Sequence, residues 1–139
     1  MSEQTMPANG SFCWNELSTT DDAAAMKFYG ELLGWEFKSS DMPAGEGSEA
    51  PPVVYNEIVV GGKHIGGVFK MGPEFGGAPP HWMAYVAVDD VDARAARVEG
   101  LGGKVCVPPT DIPNVGRFCV ITDPSGATLS LITMKGASS

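Results

Sequence analysis

Two residues in the stretch FCWNELST have side chains that could take part in chemistry, and their spacing places them together. In an alternating strand, Trp14 and Glu16 point to the same face, about 6–7 Å apart along the chain. Trp14 would give a planar ligand a flat apolar wall, and Glu16 would supply a carboxylate that accepts or donates a proton. The alternatives are an indole that only fills space and a carboxylate at a solvated strand end. We predict that Glu16 is the catalytic acid or base and that Trp14 contacts the ligand.

A second stretch, DPSGATLSLI at 123–132, is typical of a tight turn that leads into a strand. Its leucines, Leu129 and Leu131, alternate with Thr128 and Ser130. Because the leucines are the natural partners of a packed helix, we expect Thr128 and Ser130 on the opposite face, where they would line a pocket.

The elements that carry these residues occur twice in the same order. A strand, a capped helix and three strands precede the loop GPEFGGAPP and follow it again, and the two helices match at an offset of 68 residues. Such a repeat predicts two βαβββ modules, each too small to bury its sheet alone. We therefore predict an α+β fold in which the modules, related by a pseudo-twofold axis, form a curled sheet around a concave pocket. The predicted boundaries are a flexible tail at 1–10 and one domain at 11–139 with modules at 11–72 and 81–134.

The motifs FYGELLGW and VDDVDA…LGG…DPSGATLSL resemble those of the vicinal oxygen chelate superfamily. That superfamily includes glyoxalase I, bleomycin-resistance proteins and extradiol dioxygenases, and the likeness covers residues 11–134. The chain is most similar to the small glyoxalase-like proteins of this group. The resemblance implies the fold but leaves the reaction open, because the same scaffold hosts isomerases, dioxygenases and plain binding proteins.

The resemblance also implies up to four metal-ligand positions on the concave strands, which fall here on Trp14, Gly66, Met83 and Ser130. Indole and glycine offer no ligand atom, a thioether is a poor match for hard or borderline ions, and a neutral hydroxyl binds them weakly. We therefore expect a pocket that has lost its metal, with no cofactor. The alternative is a displaced metal site formed by Glu16 and the two histidines of the chain.

Counting along the strands by twos from these positions adds His64, His81 and Tyr85 to the concave face. We expect the histidines at the rim and Tyr85 either as a hydrogen-bond donor in the pocket or as a satisfied core residue. The predicted ligand-binding set is Trp14, His64, His81, Met83, Tyr85, Thr128 and Ser130. For Arg117 we expect an ion pair with Asp111 or Asp123 rather than a contact with an anionic substrate.

Composition excludes several classes of partner. Seventeen acidic and nine basic residues give a net charge of −8, and the basic residues are scattered, which argues against a nucleic acid or an anionic membrane surface. We expect neither a membrane anchor nor an export signal, because no apolar run is long enough and no basic segment precedes one. The three cysteines lack CxxC spacing, so we expect free thiols and a cytoplasmic protein.

These observations predict a protein that binds a small organic molecule in a metal-free, aromatic-lined pocket. We also expect a homodimer, because the apolar strands VVYNEIVV and WMAYVAV need covering. The alternative function is an enzyme of the same superfamily, of the lyase, isomerase or dioxygenase type, that uses Glu16 as acid or base or a rearranged metal site.

Overall fold

The computed structural model describes residues 8–42, 53–72, 77–112 and 115–134. The first set of elements is β1 (Phe12–Thr19), α1 (Asp22–Leu33), β2 (Glu36–Met42), β3 (Val53–Val60) and β4 (Lys63–Lys70). The second set is β5 (His81–Ala87), α2 (Val91–Val98) with a short 3-10 turn (Glu99–Leu101), β6 (Lys104–Ile112), β7 (Gly116–Thr122) and β8 (Thr128–Met134). The predicted α+β class with two βαβββ modules is confirmed.

The chain divides into two compact units, residues 14–83 and residues 1–13 with 84–139. The predicted module boundaries stay a prediction, and residues 1–7 of the predicted tail lie outside the described residues. The described end of that tail is hydrogen-bonded: the Gly10 N–H donates to the carbonyl of Ala87, and the Asn9 side chain accepts from the N–H of Asp89. Within the described parts of the chain, no helix is long and apolar enough to cross a membrane.

In the unit formed by residues 14–83, the strands lie in the order β2-β3-β4-β1. Strand β4 pairs antiparallel with β3 and parallel with β1. The buried side chains of Leu17, Ile58 and Val68 pack against α1 and its neighbours. Burial of each such side chain contributes about 1.5–3 kcal/mol, so this core fixes which face of β1, β3 and β4 is turned towards the helix.

Helix α1 begins and ends at residues whose types explain its bounds. The Asp21 carboxylate accepts a hydrogen bond of 3.0 Å from the N–H of Ala24, which makes Asp21 the N-cap. At the other end, Gly34 has a φ of 75°, a left-handed conformation that glycine adopts without steric cost.

In the other unit, the strands lie in the order β6-β7-β8-β5, with β5 and β8 parallel. Its core consists of Val88, Val91, Cys119 and Leu131, with Leu129 packed against it. The side chain of Thr133 joins β8 to the start of α2, because its hydroxyl donates to the Val88 carbonyl and accepts from the Val91 N–H, both at 2.9 Å. The prediction that Leu129 and Leu131 pack beside the helix is confirmed.

Candidate functional site

The strands of the unit formed by residues 14–83 have one face that points away from α1, which we call the distal face. Leu17, Val68 and Ile58 point towards α1, so their neighbours along each strand point to the distal face. Strand pairing aligns Glu16 on β1 with Gly67 on β4, and Gly67 with Glu57 on β3. The distal face therefore carries two carboxylates on either side of a residue without a side chain.

Trp14 and Glu16 meet on the distal face through a third residue, Tyr55 of β3. The Trp14 Nε1–H donates to Tyr55 Oη at 2.9 Å, and the Tyr55 hydroxyl donates to Glu16 Oε2 at 2.9 Å. All three side chains are half-buried. The result is a directed chain of hydrogen bonds, from indole to phenol to carboxylate, that fixes the positions of all three groups.

The ring of Tyr55 lies across β4. A Cβ atom added at Gly67 would stand 1.9 Å from Tyr55 Oη and 2.1 Å from Cζ. The ring also stacks on Phe69, with centroids 6.4 Å apart and planes inclined by 24°. Sequence reasoning missed Tyr55, although the alternation in VVYNEIVV separates Tyr55 and Glu57 from the buried Asn56 and Ile58. The sequence alone does not show the strand order that brings β3 within reach of β1.

His64 lies at the exposed end of the β3–β4 hairpin, and its Nδ1 contacts Glu57 Oε1. A β-bulge between Ile58 and Val59 shifts the register, so that His64 opposes Val59. Because Val59 shares the parity of Glu57, His64 belongs to the distal face.

The structure also corrects the expectation that Gly66 lies on the concave face of β4. Gly66 opposes Ile58, and a Cβ at Gly66 would stand 3.3 Å from the Ile58 Cδ1 atom. Gly66 therefore lies on the face turned towards α1, and the residue aligned with Glu16 is Gly67. The conclusion about metal ligands is unchanged, because Gly66 and Gly67 are both glycine and neither has a side-chain ligand atom.

His81 and Met83 flank Trp82 on β5. The Trp82 indole packs with Tyr29 and Trp35 beside α1, and its Nε1–H donates to Tyr29 Oη at 3.3 Å. Strand alternation directs His81 and Met83 away from that cluster. The His81 Nδ1 lies 3.0 Å from the carbonyl oxygen of Pro79. Their ligand-contact roles stay predictions.

In the other unit, Tyr85 of β5 is aligned with Ser130 of β8, on the face opposite to the Leu129 and Leu131 side chains. Both residues are buried, and Tyr85 packs against Phe118 at a centroid distance of 6.4 Å. Within the described residues, the Ser130 Oγ has no hydrogen-bond partner. Thr128 is exposed at the beginning of the strand. The predicted contacts of these residues with a ligand also stay predictions.

Arg117 is engaged with carboxylates. Its guanidinium forms a bidentate pair with Asp92 at 2.9 and 3.0 Å and reaches Asp111 at 3.1 Å. The hydrogen bond from Arg117 lowers the pKa of Asp92 below its usual value. The expected pair with Asp111 is present, and the bidentate partner Asp92 was missed. The Asp123 carboxylate accepts hydrogen bonds from Ser125 and Ala127 within its own turn. These hydrogen bonds lower the pKa of Asp123.

The donor chemistry of this chain does not fit the superfamily's metal ion. The equivalent positions hold an indole, a glycine, a thioether and a hydroxyl, which form no site for a divalent ion. Among the residues that the structure describes, no three His, Cys, Asp or Glu side chains are placed to hold a metal. The displaced site of Glu16, His64 and His81 is therefore not assembled. Burial raises the pKa of the Cys13 and Cys119 thiols, which disfavours their thiolate forms.

Relatives of this chain include a mycobacterial and a Streptomyces protein. CFP32 of Mycobacterium tuberculosis, provisionally named a glyoxylase, is 40% identical over 123 residues, which cover 88% of this chain and 44% of that protein. DnrV of Streptomyces peucetius, named an anthracycline biosynthesis protein, is 32% identical over 136 residues, which cover 89% of this chain and 47% of that protein. The chain thus spans less than half the length of these two relatives.

Two solved structures share the fold at low sequence identity. Methylmalonyl-CoA epimerase from Mycobacterium tuberculosis has a TM-score of 0.61 at 15% identity, with 93% of each chain covered. A methylmalonyl-CoA epimerase in complex with methylmalonyl-CoA and ammonium has a TM-score of 0.59 at 16% identity, covering 95% of this chain and 99% of that one. The family match extends over residues 12–131. This chain belongs to the Glyoxalase/Bleomycin resistance protein/Dioxygenase superfamily.

Proposed function

We propose that the distal face of the unit formed by residues 14–83 binds a small, planar organic molecule that bears a hydrogen-bond donor, without a metal ion. The observation that carries this proposal is the hydrogen-bonded chain from Trp14 through Tyr55 to Glu16. It presents aromatic surface and one carboxylate in a fixed arrangement. A planar ligand would lie against the rings and direct its donor group to the carboxylate of Glu16.

The arrangement suits binding because its groups are held in place before a ligand arrives. Aromatic side chains have few rotatable bonds, and the two hydrogen bonds of 2.9 Å restrain them further, so ordering them on binding costs little. A hydrogen bond from a ligand to the charged carboxylate of Glu16 would contribute about 1.5–3 kcal/mol. By the relation between free energy and affinity, that corresponds to roughly 10- to 150-fold in Kd.

The names of the relatives support an organic ligand of this class. DnrV is named for anthracycline biosynthesis, and anthracyclines are planar, hydroxylated polycyclic compounds. The match to that protein covers 89% of this chain. We propose a hydroxylated aromatic compound as the ligand, and a reducing, cytoplasmic setting, because all three cysteines are unpaired.

A second candidate function, acid–base catalysis by Glu16, is favoured by the hydrogen bond that orients its carboxylate. Glu16 would take a proton from a carbon next to a carbonyl group. The electron pair of the broken C–H bond would form the C=C bond of an enolate, and return of the proton would complete an exchange or isomerisation. The name of CFP32 and the epimerase fold relatives agree with carbonyl substrates.

Binding of 1,2-dihydroxyanthraquinone, followed by quenching of tryptophan fluorescence, tests the first candidate. We expect Glu16→Gln to raise Kd by about tenfold or more, whereas the exposed control Glu99→Gln leaves Kd unchanged. Equal affinity of the wild type and Glu16→Gln would contradict the proposal.

For the second candidate, the measurement is incorporation of deuterium into hydroxyacetone in D2O, which the wild type would accelerate and Glu16→Gln would not.

A further inference from the structure

We propose that Gly67 is the positioning residue of this site, and that it acts through Tyr55. Tyr55 belongs to β3, whereas Trp14 and Glu16 belong to β1, and β4 lies between those strands. Neighbouring strands are about 4.7–4.9 Å apart, so the Tyr55 ring must cross the full width of β4 to reach both partners. It crosses β4 at Gly67.

The contacts around Gly67 show that a side chain at this position would displace Tyr55. The three atoms nearest to an added Cβ all belong to the Tyr55 side chain, at 1.9, 2.1 and 2.5 Å. Real Cβ atoms do not approach other atoms this closely, so the ring would have to move. Because its hydroxyl is the link between Trp14 and Glu16, that movement would break both hydrogen bonds.

The backbone gives no other reason for glycine at residue 67. Gly67 is not among the residues with positive φ, so other residue types could adopt its conformation. The neighbouring Gly66 differs, because its added Cβ would stand 2.2 Å from the backbone carbonyl oxygen of Asn15. Gly66 is thus required by the packing of β4 against β1, whereas Gly67 is required by the path of one side chain.

The recess above Gly67 therefore has the shape and the polar groups of a receptor for one phenol. It has a floor without a side chain, the Phe69 ring beside it, the Trp14 N–H as donor and the Glu16 carboxylate as acceptor. The Tyr55 side chain occupies this recess. The claim that Gly67 also controls ligand affinity rests on the proposed function. The claim that Gly67 positions Tyr55 is independent of it.

The indole N–H signal of Trp14 in a ¹H–¹⁵N spectrum reports the position of Tyr55 without any ligand. Trp14→Phe assigns the signal among the three indoles of the chain, and Tyr55→Phe gives its position when the phenolic hydroxyl is missing. We expect Gly67→Ala to move the signal away from its wild-type position, in the direction set by Tyr55→Phe. A folded Gly67→Ala protein whose Trp14 signal stays at the wild-type position would overturn the proposal.

A double variant keeps the test decisive if Gly67→Ala fails to fold. Tyr55→Ala removes the ring with which the added Cβ would overlap, so Gly67→Ala/Tyr55→Ala should be as stable as Tyr55→Ala alone. If the added methyl group still destabilises the protein in that background, its conflict is with another part of the chain and Gly67 is a purely structural residue.

Chemical complementation with p-cresol tests the recess itself. In Tyr55→Ala, p-cresol should return the Trp14 N–H signal towards its wild-type position, because it has the ring and hydroxyl of the missing side chain. In Gly67→Ala/Tyr55→Ala the methyl group occupies the recess, so the same concentration should leave the signal in place. An equal response of the two variants, or no response of either, would contradict the proposal.

The affinity of Gly67→Ala for 1,2-dihydroxyanthraquinone separates this inference from the proposed function. Loss of affinity together with the altered Trp14 signal supports both. An altered Trp14 signal with unchanged affinity supports the positioning role and contradicts the ligand site.

Discussion

The Tyr55 hydroxyl donates a 2.9 Å hydrogen bond to the carboxylate of Glu16, although the two residues are 39 positions apart in sequence. The same hydroxyl accepts the indole N–H of Trp14. Tyr55 therefore uses both hydrogen-bonding capacities of its phenol inside the site. This relationship links two residues of β1, Trp14 and Glu16, to one residue of β3.

Removal of that hydroxyl should cost stability. We expect Tyr55→Phe to lower the free energy of unfolding by about 1–3 kcal/mol, because two half-buried partners lose a hydrogen bond and one of them is charged. The matched control is Tyr29→Phe, whose hydroxyl accepts one exposed 3.3 Å hydrogen bond from Trp82 and should matter less. Urea unfolding of both variants checks this. Equal losses of stability in Tyr55→Phe and Tyr29→Phe would show that the hydrogen bonds of Tyr55 with Trp14 and Glu16 add no extra stability.

The ion pair between Arg117 and Asp92 predicts a loss of stability in acid. The pKa of Asp92 is lowered in the folded protein, chiefly by its hydrogen bond with Arg117. Its contribution is therefore present above the unfolded pKa of about 3.9 and is lost as the pH falls through the folded value. Asp92→Asn should reduce the dependence of Tm on pH below about pH 5. An unchanged slope in Asp92→Asn would show that this exposed pair is screened by solvent.

The three thiols should react at different rates. Cys106 is exposed, whereas burial raises the pKa of Cys13 and Cys119, and the thiolate is the reactive form. With Ellman's reagent at neutral pH we expect one fast thiol and two slow ones. Cys106→Ser should remove the fast phase. Three equally fast thiols in the folded protein would contradict the partial burial of Cys13 and the burial of Cys119.

We also expect the chain to form a homodimer. Large apolar side chains are exposed on strands and helix of the unit formed by residues 14–83, among them Val54, Val60, Trp82, Phe28 and Leu32. Covering such surface by a second copy is the commonest solution in soluble proteins. Light scattering at micromolar concentration should give about twice the chain mass of 14.6 kDa. A mass of one chain would overturn this expectation.

The repeat of one order of elements predicted the fold, and the bounds of those elements could be predicted because their signals are local. Asp21 and Gly34 bound the first helix, and Asp90 and Gly102 occur at matching places in the second. The alternation of Leu129 and Leu131 with Ser130 also predicted which face packs on the helix. Each of these inferences needs only a few consecutive residues.

The arrangement of the candidate site could be predicted only in part, because it depends on pairing between distant strands. The spacing of Trp14 and Glu16 was enough to place both on one face. Tyr55 escaped notice because only the order β3-β4-β1 brings it near them. The expected position on β4 was Gly66 instead of Gly67, since the bulge after Ile58 cannot be seen in the spacing of the residues.

Ligand binding on the distal face is best tested by the response of the three indole N–H signals to 1,2-dihydroxyanthraquinone. Trp14 lies on the distal face beside Glu16, whereas Trp35 and Trp82 pack together beside α1. Binding on the distal face should shift or broaden the Trp14 signal at the lowest ligand concentrations and leave the other two in place, and Glu16→Gln should move this response to roughly tenfold or more higher concentration. A titration that perturbs Trp35 or Trp82 while Trp14 is unaffected would contradict binding on the distal face.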